Sequence, residues 1–154
     1  PDARFVWVGD GPMRAALQRD NPDFVFTGVQ RGELLARLFA SADLFVFPSR
    51  SETFGNVTLE AMASGIATVA YDYGAAREHL SDGEHGAAIE PGDESAFLAA
   101  VARIGADVMA MQRMGRAARA AVAGLSTQRV AEDFDRLLAG LAHGEPVDAD
   151  RAAA

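Results

Sequence analysis

Glu52 and Glu60 bracket the run Glu-Thr-Phe-Gly-Asn-Val-Thr-Leu-Glu, with seven residues between them. The run follows an apolar stretch, Leu44 to Phe47, and a polar turn, Pro48-Ser49-Arg50-Ser51. A helix pattern begins after Gly55. The first turn of a helix leaves backbone N–H groups without partners, so those of Asn56 and Val57 can face an anion such as phosphate. Gly55 has no Cβ and lets such an anion come close to the chain. Glu52 in the loop and Glu60 about one turn into the helix then offer carboxylates to hydroxyl groups on either side of that phosphate. A ligand made of sugar, diphosphate and ribose fits this layout. Taken singly, Glu60 reads as a surface acid favoured by the helix dipole, worth ~0.3 to 1 kcal/mol, and Glu52 as a solvated loop acid.

The elements that must position these residues alternate. Phe5 to Val8, Phe24 to Phe26, Leu44 to Phe47, Ile66 to Ala70 and Ala87 to Ile89 are short apolar runs without in/out alternation, which predicts parallel strands covered on both faces. Helix patterns lie between them: Met13 to Arg19 with Pro12 as a first helical residue, Glu33 to Ala40, and Asn56 to Ser64 stopped by Gly65. After Pro91-Gly92-Asp93, the segments Glu94 to Ile104, Asp107 to Val122 and Ser126 to Leu141 read as three consecutive helices. The Met109, Met111 and Met114 set reads as ordinary packing. The pattern predicts an α/β, doubly wound, Rossmann-like parallel sheet over 1–142, with C-terminal helices and a frayed tail over 143–154. Such sheets bind ligands beyond the carboxyl ends of their strands. Four loops meet that condition: Gly9 to Pro12, Gly28-Val29-Gln30, the Glu52 loop, and Tyr71 to Gly74.

Composition narrows the function classes. A chain of 154 residues with 49% hydrophobic content suits one domain with a real core. Acidic residues outnumber basic ones, 22 to 14, which disfavours a nucleic-acid surface or a polybasic membrane anchor. Zero cysteines exclude disulfides and thiolate metal sites. No apolar run approaches the ~20 residues of a membrane span, and no signal peptide opens the chain. A cytoplasmic location is expected. His79, His85 and His143 are too scattered to predict a metal site. Gly9-Asp10-Gly11-Pro12 has Arg14 where a dinucleotide fingerprint has its third glycine, and it lacks a P-loop lysine. Ser49 and Ser51 sit in no nucleophile elbow. Asp148-Ala149-Asp150 lies in the polar tail beside no strand and reads as chance.

Phe47-Pro48-Ser49, Ser51 to Gly55 and Leu59-Glu60-Ala61-Met62-Ala63-Ser64-Gly65 together resemble the signature of GT4-type retaining glycosyltransferases, the glycosyl transferases group 1, with the GT-B fold. The resemblance extends through Val8 to Pro12, Phe26-Thr27-Gly28 and Asp82 to Gly86, covering the chain to about Pro91. It implies the C-terminal, donor-binding half of a two-domain enzyme, in which the other half brings an acceptor sugar or lipid, and a location that can be peripheral to the inner membrane through that half. By position, the resemblance makes Glu52 the catalytic-site acid on the donor sugar and Glu60 the acid on the ribose. Phe54, Gly55, Asn56 and Val57 match the turn that meets sugar and diphosphate. Val29 and Gln30 match a loop near the nucleobase with main-chain contacts, and Gly9 and Gly11 a glycine loop at the crevice. No cofactor or metal is implied; a nucleotide diphosphate sugar is the donor substrate.

The Phe-Gly-Asn-Val-Thr wording and Ala70-Tyr71-Asp72-Tyr73 look most like the mannosyltransferase and sulfoquinovosyltransferase-like branches, implying transfer of a hexose, mannose-like, to a hydroxyl. The family's Arg and Lys that neutralise the departing diphosphate lie upstream of Pro1, so this chain alone is expected to bind better than it turns over. The family's first strand, central in a 3-2-1-4-5-6 sheet, is also upstream. Its absence predicts two unpaired edges unless the strands re-pair, for instance with another copy. Two other functions share the pocket: a catalytically idle nucleotide-sugar sensor, and half of a nucleotide-sugar epimerase, whose proton-transfer chemistry the Glu52 to Glu60 wording fits poorly.

Overall fold

Among the described residues, short apolar runs form five strands, and the segments between and after them form seven helices. The computed structural model describes residues 3–143. Its elements are β1 (Val6–Val8), α1 (Arg14–Asp20), β2 (Val25–Gly28), α2 (Gly32–Ala40), β3 (Leu44–Phe47), α3 (Asn56–Ala63), β4 (Ala67–Tyr71), α4 (Ala75–His79), β5 (Gly86–Ile89), α5 (Glu94–Gly105), α6 (Val108–Val122) and α7 (Thr127–Ala142). All strand pairs are parallel, so the fold class is α/β and Rossmann-like, as the sequence predicts.

The sheet is broken. β1 pairs only with β2, and β3-β4-β5 form a separate sheet. Among the described residues, the edge of β1 away from β2 and the edge of β3 away from β4 have no strand partner within the chain, and these are the two edges that the expected strand order leaves open. The prediction that every strand is covered on both faces fails at β1, where Val6, Trp7 and Val8 are all exposed. Trp7, in the middle of that run, is 43% exposed and stacks on Phe26 of the neighbouring strand. With no strand against its outer edge, β1 has little to bury its side chains against.

β4 is the centre of the molecule, buried at all five positions. Its alternation splits the core. Ala67, Val69 and Tyr71 pack with Phe97, Ala100, Ile104 and Met111 on one side. On the other, Ala70 packs with Met62, Ala76, Leu80, Ala118 and Val122. The small residues let helices come close: a Cβ on Gly115 of α6 would lie 2.0 Å from the carbonyl oxygen of Gly65, which ends α3. Gly65 itself has φ +78°, and the Ile66 N–H closes the helix end on the Ala61 carbonyl at 3.2 Å.

The C-terminal helices begin where their caps predict. The side chains of Asp93, Asp107 and Ser126 accept from the backbone N–H of Ala96, Ala110 and Arg129. α7 buries none of its residues, and Val130, Phe134, Leu138 and Leu141 are exposed along it. In α6, Met111 is buried and Met114 packs on the core, but Met109 is 62% exposed, so the methionine set is only partly packing. Pro12 is not a first helical residue: the Arg14 N–H closes a turn on the Gly11 carbonyl at 3.1 Å, and α1 starts after it. α4, only 5 residues long, is too short for periodicity to announce. His143 caps α7; the rest of the expected tail, with Asp148-Ala149-Asp150, lies outside the described residues. No helix among the described residues is long and apolar enough to cross a membrane.

Candidate functional site

Beyond the carboxyl end of β3 the chain crosses the rim of the sheet and enters α3 through Gly55, whose backbone is left-handed at φ 87°, ψ 46°. Glycine is needed there for that conformation, not for space, since an added Cβ would meet Glu52 Cγ at an ordinary 3.8 Å. The Gly55 carbonyl takes the Thr58 N–H at 2.9 Å. The Asn56 and Val57 N–H groups, in the first turn, have no backbone partner among the described residues. Glu60 is four residues after Asn56 and so on the same helix face, and both are exposed. A carboxylate and a free helix N-terminus thus share one side of α3.

Glu52 lies in the loop that leads into that N-terminus, with its Cβ and Cγ beside Gly55. Its Oε1 accepts from the Ser49 hydroxyl at 2.8 Å. The loop carrying it is fastened to the segment after β4 at two points: the Tyr73 hydroxyl donates to the Ser49 carbonyl at 2.7 Å, and the Ala75 N–H donates to the Phe54 carbonyl at 2.7 Å. This approach requires glycine at 74, where φ is 54° and a Cβ would lie 2.3 Å from the Phe54 oxygen. Phe54 is half-buried, with His79 edge-on to its ring at 6.5 Å. Phe47, Glu52, Phe54, Gly55, Thr58 and Tyr73 are among the residues lining a cleft of only about 10 Å³, room for about one water. A larger ligand would not fit within it.

The other predicted site residues sit on the smaller sheet. The Gly9 N–H donates to the Gly28 carbonyl at 2.9 Å, and the Gly11 N–H to Asp10 Oδ1 at 2.8 Å, so both amides are occupied. Val29 is exposed. Gln30 donates its side-chain N–H to the Thr27 carbonyl at 2.8 Å, leaving it turned back on its own turn, beside a groove of about 360 Å³ along α2. The four loops therefore form two pairs, Gly9 with Gly28 and Ser49–Phe54 with Tyr73–Ala75, and among the described residues no backbone hydrogen bond joins one pair to the other. Glu52, Phe54 and Gly55 line the cleft, and Asn56, Val57 and Glu60 follow in α3; Gly9, Gly11, Val29 and Gln30 lie on the loops after β1 and β2.

Three of the arginines at these strand ends have an acidic partner, and Arg31, between β2 and α2, has none among the described residues. Arg14 lies 3.6 Å from Asp10, Arg50 pairs with Glu94, and Arg77 lies 3.6 Å from the Asp72 carboxylate while donating to the Asp72 carbonyl at 2.6 Å. His85, in the turn before β5, is buried and accepts the Ser81 N–H on Nδ1 at 3.1 Å. The sequence flags Ser49 and Tyr73 only as loop residues, because a hydrogen bond between positions 24 apart leaves no local pattern.

The family profile described as "Glycosyl transferases group 1" matches residues 1–107. The chain is 42% identical over 122 residues to a GDP-mannose-dependent alpha-mannosyltransferase of Mycolicibacterium smegmatis, covering 79% of this chain and 32% of that protein. It is 36% identical over 124 residues to sulfoquinovosyl transferase SQD2 of Arabidopsis thaliana, covering 77% of this chain and 24% of that protein. The chain thus spans about a quarter to a third of these relatives' length. Among solved structures, sucrose-phosphate synthase from Thermosynechococcus elongatus superposes with a TM-score of 0.76 at 28% identity, over 91% of this chain and 39% of that one.

Proposed function

Since the chain belongs to the glycosyl transferases group 1 family, as a C-terminal GT-B domain, we propose that it holds the nucleotide-sugar donor of a retaining hexosyltransferase. The observation that carries this reading is the free N-terminus of α3, at Asn56 and Val57, with Glu52 in the loop that leads to it and Glu60 four residues into the helix on the face of Asn56. The diphosphate takes the two amides and the positive end of the helix dipole. Glu60 takes the ribose hydroxyls and Glu52 the hydroxyls of the sugar. The GDP-mannose dependence of the Mycolicibacterium smegmatis relative supports a mannose-like hexose. Phosphate departure concentrates negative charge, and positive groups aimed at it are a large part of catalysis. Arg14, Arg50 and Arg77 are paired with acids, and Arg31 follows β2 of the smaller sheet, away from the α3 N-terminus in the chain; binding rather than turnover is the role we assign to this chain by itself. In the longer enzyme, the other GT-B half brings the acceptor hydroxyl to the face that the nucleotide leaves.

Calorimetry with UDP-, GDP- and ADP-sugars and the matching nucleoside diphosphates tests this. Glu60→Ala is expected to weaken binding of the nucleotide, and Glu52→Ala only the part of the affinity that the sugar adds, each by roughly 1.5 to 3 kcal/mol for a hydrogen bond to a charged group. Unchanged affinity in both variants removes the assignment.

A further inference from the structure

We propose that Tyr73 and Ser49 are positioning residues that aim Glu52 at the donor sugar; this rests on the donor-binding reading above. The Tyr73 ring packs against the core cluster of Tyr71 and Phe97, and its hydroxyl reaches over the rim to the Ser49 carbonyl at 2.7 Å. Ser49 in turn gives its single hydroxyl proton to Glu52 Oε1 at 2.8 Å. The competing acceptor, the Ser51 carbonyl, lies 3.4 Å away, and a charged acceptor at short range wins. Glu52 is itself exposed. A solvated glutamate samples several rotamers, and fixing it before the ligand arrives removes that entropy from the cost of binding. With Ser49 taking one lone pair of Oε1, Oε2 keeps both of its own for a sugar hydroxyl.

Glu52 also lies between the two points at which its loop is fastened, Ser49 to Tyr73 and Phe54 to Ala75. The second point is backbone to backbone and survives any side-chain change at 73. Removing the tyrosine hydroxyl therefore loosens the serine end alone. The loop stays attached, and the α3 N-terminus that meets the diphosphate is untouched. The effect must appear in the sugar's share of the affinity and nowhere else.

The test is a double-mutant cycle by calorimetry with GDP-mannose against GDP, and UDP-glucose against UDP as the second pair. Tyr73→Phe, which keeps the ring, and Ser49→Ala are each expected to weaken the sugar-bearing ligand about 3- to 10-fold, the worth of one hydrogen bond, and to leave the nucleoside diphosphate unchanged. In a Glu52→Ala background neither substitution should weaken the sugar-bearing ligand further, and Ser49→Thr should restore the wild-type value. Equal losses for both ligands, or losses that persist without Glu52, would show that Tyr73 and Ser49 merely hold the fold, and the proposal fails. If Glu52→Ala itself changes nothing, or neither pair binds, the donor-binding reading has failed instead.

Discussion

Gly74 and Gly9 both adopt backbone conformations that favour glycine, but for different reasons. A Cβ at 74 would meet the Phe54 carbonyl oxygen at 2.3 Å, whereas one at 9 meets nothing within 4 Å. Gly74→Ala therefore combines backbone strain with a clash against main chain and should cost about 2 to 4 kcal/mol, while Gly9→Ala carries strain alone, about 1 kcal/mol. Urea denaturation of the two variants compares them, and equal losses would mean that the loop after β4 does not press on the Glu52 loop. The contrast marks how far residues can be read from sequence. Gly55 is legible because a strand end, a glycine and a helix start are neighbours in the chain. Gly74 is opaque, because its constraint comes from Phe54, twenty residues earlier. Tyr73 is opaque for the same reason.

The helices divide by how they are held. α5 and α6 have aspartate caps and buried faces, so Asp93→Ala and Asp107→Ala should each cost about 1 kcal/mol. Met62 of α3 is fully buried, and Met62→Ala should cost about 2 to 5 kcal/mol. Phe134 of α7 is 59% exposed, and Phe134→Ala should fall within about 0.5 kcal/mol of the parent. Thermal and chemical unfolding of these variants checks the ranking; a large loss at Phe134 would show that α7 is packed in solution. Because caps and periodicity are local signals, α5 to α7 were legible to within a residue or so. The burial of their faces was not: α7 has the strongest apolar stripe of the three and covers nothing. Stripe and cover are separate facts, and only the first is written in the helix's own sequence.

At the scale of the molecule the break between β1 and β3 decides what is stable. β4 is buried throughout and β1 is exposed throughout, so the β1–α1–β2–α2 part should open at lower free energy than the rest. Native-state hydrogen exchange should find the β1 and β2 amides exchanging well before those of β4, and equal protection would show that the two sheets open as one unit. The strand order and the gap were legible through the family resemblance, which puts the upstream strand at the centre of the sheet; the separation of the four loops into two pairs was not, since it follows from the gap only through three-dimensional distance. One last consequence comes from the place where α6 meets the end of α3. An eight-residue helix is about 12 Å long, and α3 is moored at its tail by bare glycine at 115 against Gly65. Any side chain inserted there must push that tail outward and swing the opposite tip through an arc. Gly115→Ala is therefore expected to loosen GDP-mannose in calorimetry even among molecules that remain folded, although position 115 touches no ligand. Undiminished affinity would show that the tip stays put when the tail is shifted.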